Sequence, residues 1–167
     1  MSAPSDLEEA LDGSDGSVTA FLEQLVGEPI DAERRGHTSG PAATANALEV
    51  AAGHPLIFRS AVLQGRFSGR SYLAAESVLV PSRLPDGVTS RLGSSSDPIG
   101  RILAEEGISV RREILGGSDH LPSRLPVDAD LDGCLLARTY RLDADGTPLM
   151  VIGEWFLATL RGFLPPR

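Results

Sequence analysis

The chain contains no lysine, so all 15 of its basic residues are arginines, set against 23 acidic ones. Any anion it binds must be held by planar, bidentate guanidinium groups rather than by a mobile ammonium. The net charge of −8 and the pI of about 4.8 argue against nucleic acid or an anionic membrane as the main partner, because both recruit basic surfaces. A single cysteine, Cys134, excludes an internal disulfide and accords with a reducing compartment. It falls in an apolar stretch expected to be a strand, and reads as inert filling. No apolar run approaches the ~20 residues that span a bilayer. The acidic opening MSAPSDLEEALDGSDGS has no basic segment followed by an apolar one, so a cytoplasmic location is expected.

Several chemical fingerprints are also missing. There is no G-x-S-x-G, no P-loop and no G-x-G-x-x-G, which removes the common hydrolase, NTPase and dinucleotide signatures. DADLDG at Asp128–Gly133 opens like a calcium loop, but its twelfth place is Thr139 instead of a bidentate glutamate, and the residues after it are strand formers. It reads as a solvated turn. His37, His54 and His120 are scattered without metal-ligand spacing. Neither a metal site nor a cofactor is expected.

What is present is a globular composition, 41% hydrophobic over 167 residues, which suits one domain spanning residues 1–167 with residues 1–16 as a flexible or short-helical N-terminus. A short helix is expected around Leu7–Leu11, and Ser17 opens VTAFLEQLVG as a second with Gly27 as its stop. Strands are expected over Pro29–Thr38, His54–Leu63 and Arg70–Pro81, the last two joined by the glycine-bearing turn GRFSG. A small-residue loop, SGPAATANA, follows the first strand. Short helices follow Pro81, the last of them PIGRILAEEG with Pro98 at its first helical position. ISVRREILGG reads as another strand, and Gly133–Leu142 and Thr147–Leu157 pair across the Asp-Gly turn of DADG. About six strands joined as hairpins, with three or four short helices, imply an α+β domain: one antiparallel sheet with helices packed on one face.

Two charges interrupt apolar strands: Arg59 in PLIFRSAVL and Glu154 in PLMVIGEWFL. Burying either costs several kcal/mol unless it is paired or binds something. Period-2 alternation also allows each to face solvent, as it does Arg112 in VRRE and Arg138 in ARTYRL. The residues alone leave both readings open.

From Leu48 to Leu157 the order of landmarks resembles the chorismate pyruvate-lyase family, and SVTAFLEQLVGEP fits that family's N-terminal region. FRSAVL, YLAAESVLVP, the loop PIGRIL, LLARTYRL and GTPLMVIGEWFL occur in sequence. The resemblance implies a cofactor-independent carbon–oxygen lyase that converts chorismate to 4-hydroxybenzoate and pyruvate. It places a substrate-carboxylate arginine at Arg59, an acid/base glutamate at Glu154, ring-pocket backbone at Ile99 and Gly100, and a flap residue at Val18. Arg112 or Arg138 would supply the second carboxylate contact. Chorismate is the partner implied, with a monomer slightly favoured. ISVRREILGG also resembles a strand of the effector domains of GntR-type regulators, which share this fold. Two alternatives follow: a non-catalytic ligand-binding module, against which no helix-turn-helix pattern precedes the first strand, and a lyase-fold enzyme acting on a related cyclic acid.

Overall fold

Both hairpins are present in the computed structural model, which describes residues 6–12, 17–43, 47–115 and 133–165. Strands β1 (Ile30–Pro41), β2 (Pro55–Gly65), β3 (Ser71–Leu79), β4 (Arg111–Leu115), β5 (Leu136–Ala144) and β6 (Thr147–Phe156) form a single sheet. Its order is β1-β2-β3-β6-β5-β4 and every pairing is antiparallel. The described residues add α1 (Asp6–Asp12), α2 (Val18–Val26), α3 (Asp86–Ser94) and α4 (Ile99–Glu105), with 3-10 turns at Pro81–Arg83 and Ala158–Phe163. The expected class, an antiparallel sheet carrying a few short helices, is the one found.

The differences are local and have physical causes. β1 runs on to Pro41 because β2 continues to pair with it as far as Pro55. Pro98 is not the first helical residue of α4; its ψ of 150° is extended, and its carbonyl accepts the first helical bond from Ile102 N–H at 3.1 Å. It therefore caps the helix one position earlier. Cys134 lies before β5 rather than inside a strand, half-buried, with Sγ 3.2 Å from the Leu136 carbonyl. The second helix is bounded as its sequence requires. Ser17 Oγ accepts from Ala20 N–H at 3.2 Å, and Gly27 closes α2 at φ 76°, donating to the Glu23 carbonyl.

Two apolar clusters cover one face of the sheet. At one end α1, α2 and the 158–163 turn bury Leu7, Leu22 and Leu160 against Leu63, Leu73 and Phe156. At the other, α3 and α4 bury Val88, Leu92 and Ile102 against Leu79, Leu142, Met150 and Ile152. Each fully buried side chain of this size stabilises the fold by about 1.5–3 kcal/mol. The opposite face carries Leu56, Val78, Val80 and Val151 beneath Ala42 and Leu48.

One irregularity decides which side chains meet. The β5–β6 register shifts between Leu142 and Asp143, so that Asp143 faces Pro148 while Leu142 faces Met150, leaving Leu149 as an extra residue in β6. Pro148 has no N–H to give to the ladder, which favours a bulge at this point. Beyond the bulge, Arg138 lies directly opposite Glu154 and Tyr140 opposite Ile152. An unbulged two-residue hairpin would have put Arg138 opposite Gly153, on the other face.

Candidate active site

Between the two clusters the helix-bearing face is hollow. Three cross-strand rows explain why. Leu63–Leu73–Phe156 fills one side, Arg59–Ser77–Ile152 lies on the other, and the row between them is Ala61–Ala75–Glu154. Two alanines where leucines would close the core leave a cavity of about 390 Å³. Its wall is completed by Leu142 and Tyr140 from β5, by Ser17, Val18 and Thr19 at the start of α2, and by Pro98, Ile99 and Gly100 at the start of α4. The two helix starts touch: a Cβ on Gly100 would stand 3.0 Å from Ser17 Cβ. Any side chain at Gly100 would have to push Ser17 aside by a few tenths of an ångström. The N–H groups of a first helical turn have no intrahelical partner, so both starts bring positive dipole ends to the cavity.

Arg59 enters from β2. It is 5% exposed, and neither its Nε nor its Nη2 has a hydrogen-bond partner. Burial, with Arg34 nearby, pushes its guanidinium down to about 10. Arg34 does not relieve it, being another cation that donates to the Leu92 and Gly93 carbonyls at the end of α3. A desolvated fork with open donors has the geometry to take an anion such as a carboxylate in a bidentate contact.

Glu154 enters from β6 and is 2% exposed. Arg138 Nε donates to its Oε1 at 2.8 Å, and the Tyr140 hydroxyl is also hydrogen-bonded to it. Burial raises its carboxyl above the ordinary range, the pull of Arg138 notwithstanding. The native state therefore holds this proton at pH values where the unfolded chain has released it. Stability from this group is full below the unfolded value of about 4.3 and is lost as pH rises through the folded one. Glu154→Gln should accordingly match wild type near pH 4.5 and gain on it steadily toward pH 7.5 in urea melts. A constant difference would show that the carboxyl titrates normally.

The expected residues are placed as follows. Arg59, Glu154, Val18, Ile99, Gly100 and Arg112 all line this same cavity. Arg138 does not; it is committed to Glu154 from the adjacent strand, its Nη2 buried without a partner. Arg112, on the edge strand β4, lies with its guanidinium 4.7 Å from the centre of the Tyr140 ring. Trp155, next to Glu154 in sequence, belongs to the other face by strand alternation, whereas Ile152 lines the cavity on the same face as Glu154. His54 Nε2 is 3.0 Å from Ser82 Oγ, and His37 is exposed on β1. Among the described residues no group of His, Cys, Asp and Glu could hold a metal ion, and no helix is long and apolar enough to cross a membrane. His120 and most of DADLDG lie outside the described residues.

Sequence reasoning passed over Tyr140 and the two alanines. The available signal was parity: Tyr140 is two residues from Arg138, and Ala61 two from Arg59. Filling the floor tests its role. Ala75→Leu should leave the melting temperature within a few degrees of wild type while weakening any ring-sized ligand by about 100-fold, since overpacking a filled site costs about 1–3 kcal/mol. Unchanged ligand affinity in that variant would mean the ligand sits elsewhere.

The family model described as chorismate pyruvate-lyase Rv2949c-like matches residues 13–164. The chain belongs to that family. Among the chorismate pyruvate-lyases it resembles, that of Mycobacterium tuberculosis (strain ATCC 25618 / H37Rv) is 32% identical over 105 residues, 61% of this chain and 53% of that protein. That of Mycobacterium leprae (strain TN) is 33% identical over 110 residues, 63% of this chain and 51% of that one. The matched part spans about half the length of these curated relatives. Among solved structures, PhnF from Mycobacterium smegmatis superposes with a TM-score of 0.58 at 16% identity, covering 88% of this chain and 66% of that one. The ligand-binding domain of a GntR-family regulator from Bordetella bronchiseptica gives 0.51 at 17%, covering 77% and 86%. At these identities the likeness is one of fold, so the lyase family and the regulator domains share an architecture.

Proposed function

We propose that this member of the chorismate pyruvate-lyase family converts chorismate to 4-hydroxybenzoate and pyruvate in the cavity between Arg59 and Glu154. The observation that carries the reading is the pairing, in one small cavity, of an unpartnered buried guanidinium with a buried carboxyl whose proton affinity is raised. Arg59 and Glu154 stand on strands separated by β3, two residues apart in register. At strand spacings of about 4.8 Å and a rise of about 3.3 Å per residue, their backbones are about 12 Å apart. A six-membered ring with its substituents spans that interval.

Chorismate carries two carboxylates, an enolpyruvyl ether and a cyclohexadiene ring that one elimination makes aromatic. Cleavage breaks the ring carbon–oxygen bond and removes the proton from the neighbouring ring carbon. The ring becomes aromatic, and the departing enolpyruvyl group takes up a proton to become pyruvate. The reaction is driven by aromatisation, so the protein must hold charge, orient the ether and manage protons. Arg59 holds one carboxylate. Arg112, on the cavity wall and free of Glu154, is the better candidate for the other; Arg138 serves Glu154. Protonated Glu154 supplies the proton to the leaving group, and its carboxylate then takes up the proton lost by the ring carbon, which restores the acid for the next cycle.

Purified protein incubated with chorismate should release pyruvate and 4-hydroxybenzoate in equal amounts, followed by chromatography and a coupled pyruvate assay. Pyruvate with a different aromatic acid would redirect the reading to a related lyase. Tight binding with no pyruvate would replace it with ligand sensing.

A further inference from the structure

Tyr140 is a polar, titratable residue of the cavity to which neither the sequence motifs nor the proposed reaction assigns work. It is 3% exposed, lines the cavity wall, and its hydroxyl is hydrogen-bonded to Glu154. Two guanidiniums lie over its ring, with Arg112 Cζ at 4.7 Å and Arg138 Cζ at 5.2 Å from the centroid. Those contacts fix the ring by cation–π attraction. The hydroxyl is thereby fixed too.

We propose that Tyr140 is a positioning residue for Glu154, holding its carboxyl in one orientation through both of its protonation states. The inference rests on the proposed lyase reading for its kinetic consequence, though not for the contact itself. The chemistry is specific to a hydroxyl. Arg138 offers Glu154 only donors, so it grips the ionised carboxylate and loses much of that grip when the carboxyl takes a proton. A phenol donates to the carboxylate and accepts from the carboxylic acid, so one contact serves both states. Burial and the adjacent Glu154 keep the phenol itself protonated. A group that must give up a proton and regain it in every cycle needs such a neighbour, since each swing of the carboxyl would otherwise misplace the proton.

The charged and titratable groups facing Glu154 are few. β5 contributes Arg138 and Tyr140, β4 contributes Arg112, and β2 contributes Arg59 across the cavity. β3 places Ala75 beside it, and the wall residues of α2 and α4, Ser17, Val18, Thr19, Ile99 and Gly100, carry no ionisable acid or base.

Tyr140→Phe is the test, because it keeps the ring and both cation contacts and removes only the hydroxyl. With chorismate, the variant should lose about 10- to 100-fold in kcat with KM within about threefold, in the usual range for a lost proton-handling contact. The hydroxyl favours the ionised carboxylate, so its removal should carry the alkaline limb of the pH–rate profile to higher pH. An unchanged profile with unchanged kcat overturns the assignment, as does a loss confined to KM. A double-mutant cycle of Tyr140→Phe and Glu154→Gln on unfolding stability, at pH 5 and pH 8, reads the contact without turnover. Coupling at both values supports a contact that survives titration; coupling at pH 8 alone, or at neither, overturns it. If the wild-type protein turns over no chorismate, the lyase reading fails while the cycle still decides the role of Tyr140.

Discussion

Replacing Arg59 by methionine should raise the melting temperature of the ligand-free protein and nearly abolish its affinity for a carboxylated ring. The two effects have one cause. Arg59 is a buried cation with two unpartnered nitrogens, its guanidinium pushed down to about 10 by the loss of water around it. Methionine fills similar volume without charge, and replacing buried ionic groups by apolar ones commonly gains about 1–4 kcal/mol. Because the cavity wall relaxes and is already partly polar, the lower half of that range is expected. Truncating one partner of a buried charge pair costs about 2–5 kcal/mol in binding, which corresponds to roughly 30- to 5,000-fold in affinity. Thermal melts with and without 4-hydroxybenzoate give both readings: a higher baseline, and a ligand-induced shift that disappears. A methionine variant that melts lower than wild type would mean that Arg59 has structural partners and is no receptor.

Glu154→Gln should cost about 100- to 10,000-fold in kcat with KM little changed, the range expected when a positioned proton donor is lost. Glutamine keeps the size of the side chain and an oxygen for Arg138 Nε, so the cavity shape survives. What disappears is the exchangeable proton. Binding of 4-hydroxybenzoate should therefore stay within a few-fold of wild type, in contrast to Arg59→Met. The two variants separate holding from proton transfer, and a parallel loss of binding in both would merge the two roles into one. Steady-state kinetics on chorismate, together with calorimetric titration of the product, measure each arm.

Most of the sheet was legible because its signals are local. Alternation, the turns GRFSG and DADG, and the serine and glycine bounding α2 each act within a few residues. Arg59 and Glu154 stood out for the same reason, as charges among apolar neighbours. What could not be read was which residues face each other across strands. The pairing of Arg138 with Glu154 depends on a bulge at Leu149, where Pro148 withholds an N–H and the register slips by one. A regular hairpin count puts Arg138 on the wrong face, so its tie to Glu154, and the place of Tyr140 beside it, stay hidden. The hollow was hidden too. Ala61 and Ala75 are ordinary strand residues until the register sets them side by side next to Glu154. Nor does Gly100 announce that it lies against Ser17, which is far from it in sequence. Local chemistry announced the charged groups, and non-local geometry made them a site.

The most direct test is a crystal structure of the protein with 4-hydroxybenzoate. The carboxylate should lie on the Nε and Nη2 edge of Arg59, the ring over Ala61 and Ala75, and the hydroxyl end toward Glu154. A ligand bound elsewhere, or one that leaves the Arg59 nitrogens unengaged, would contradict that placement.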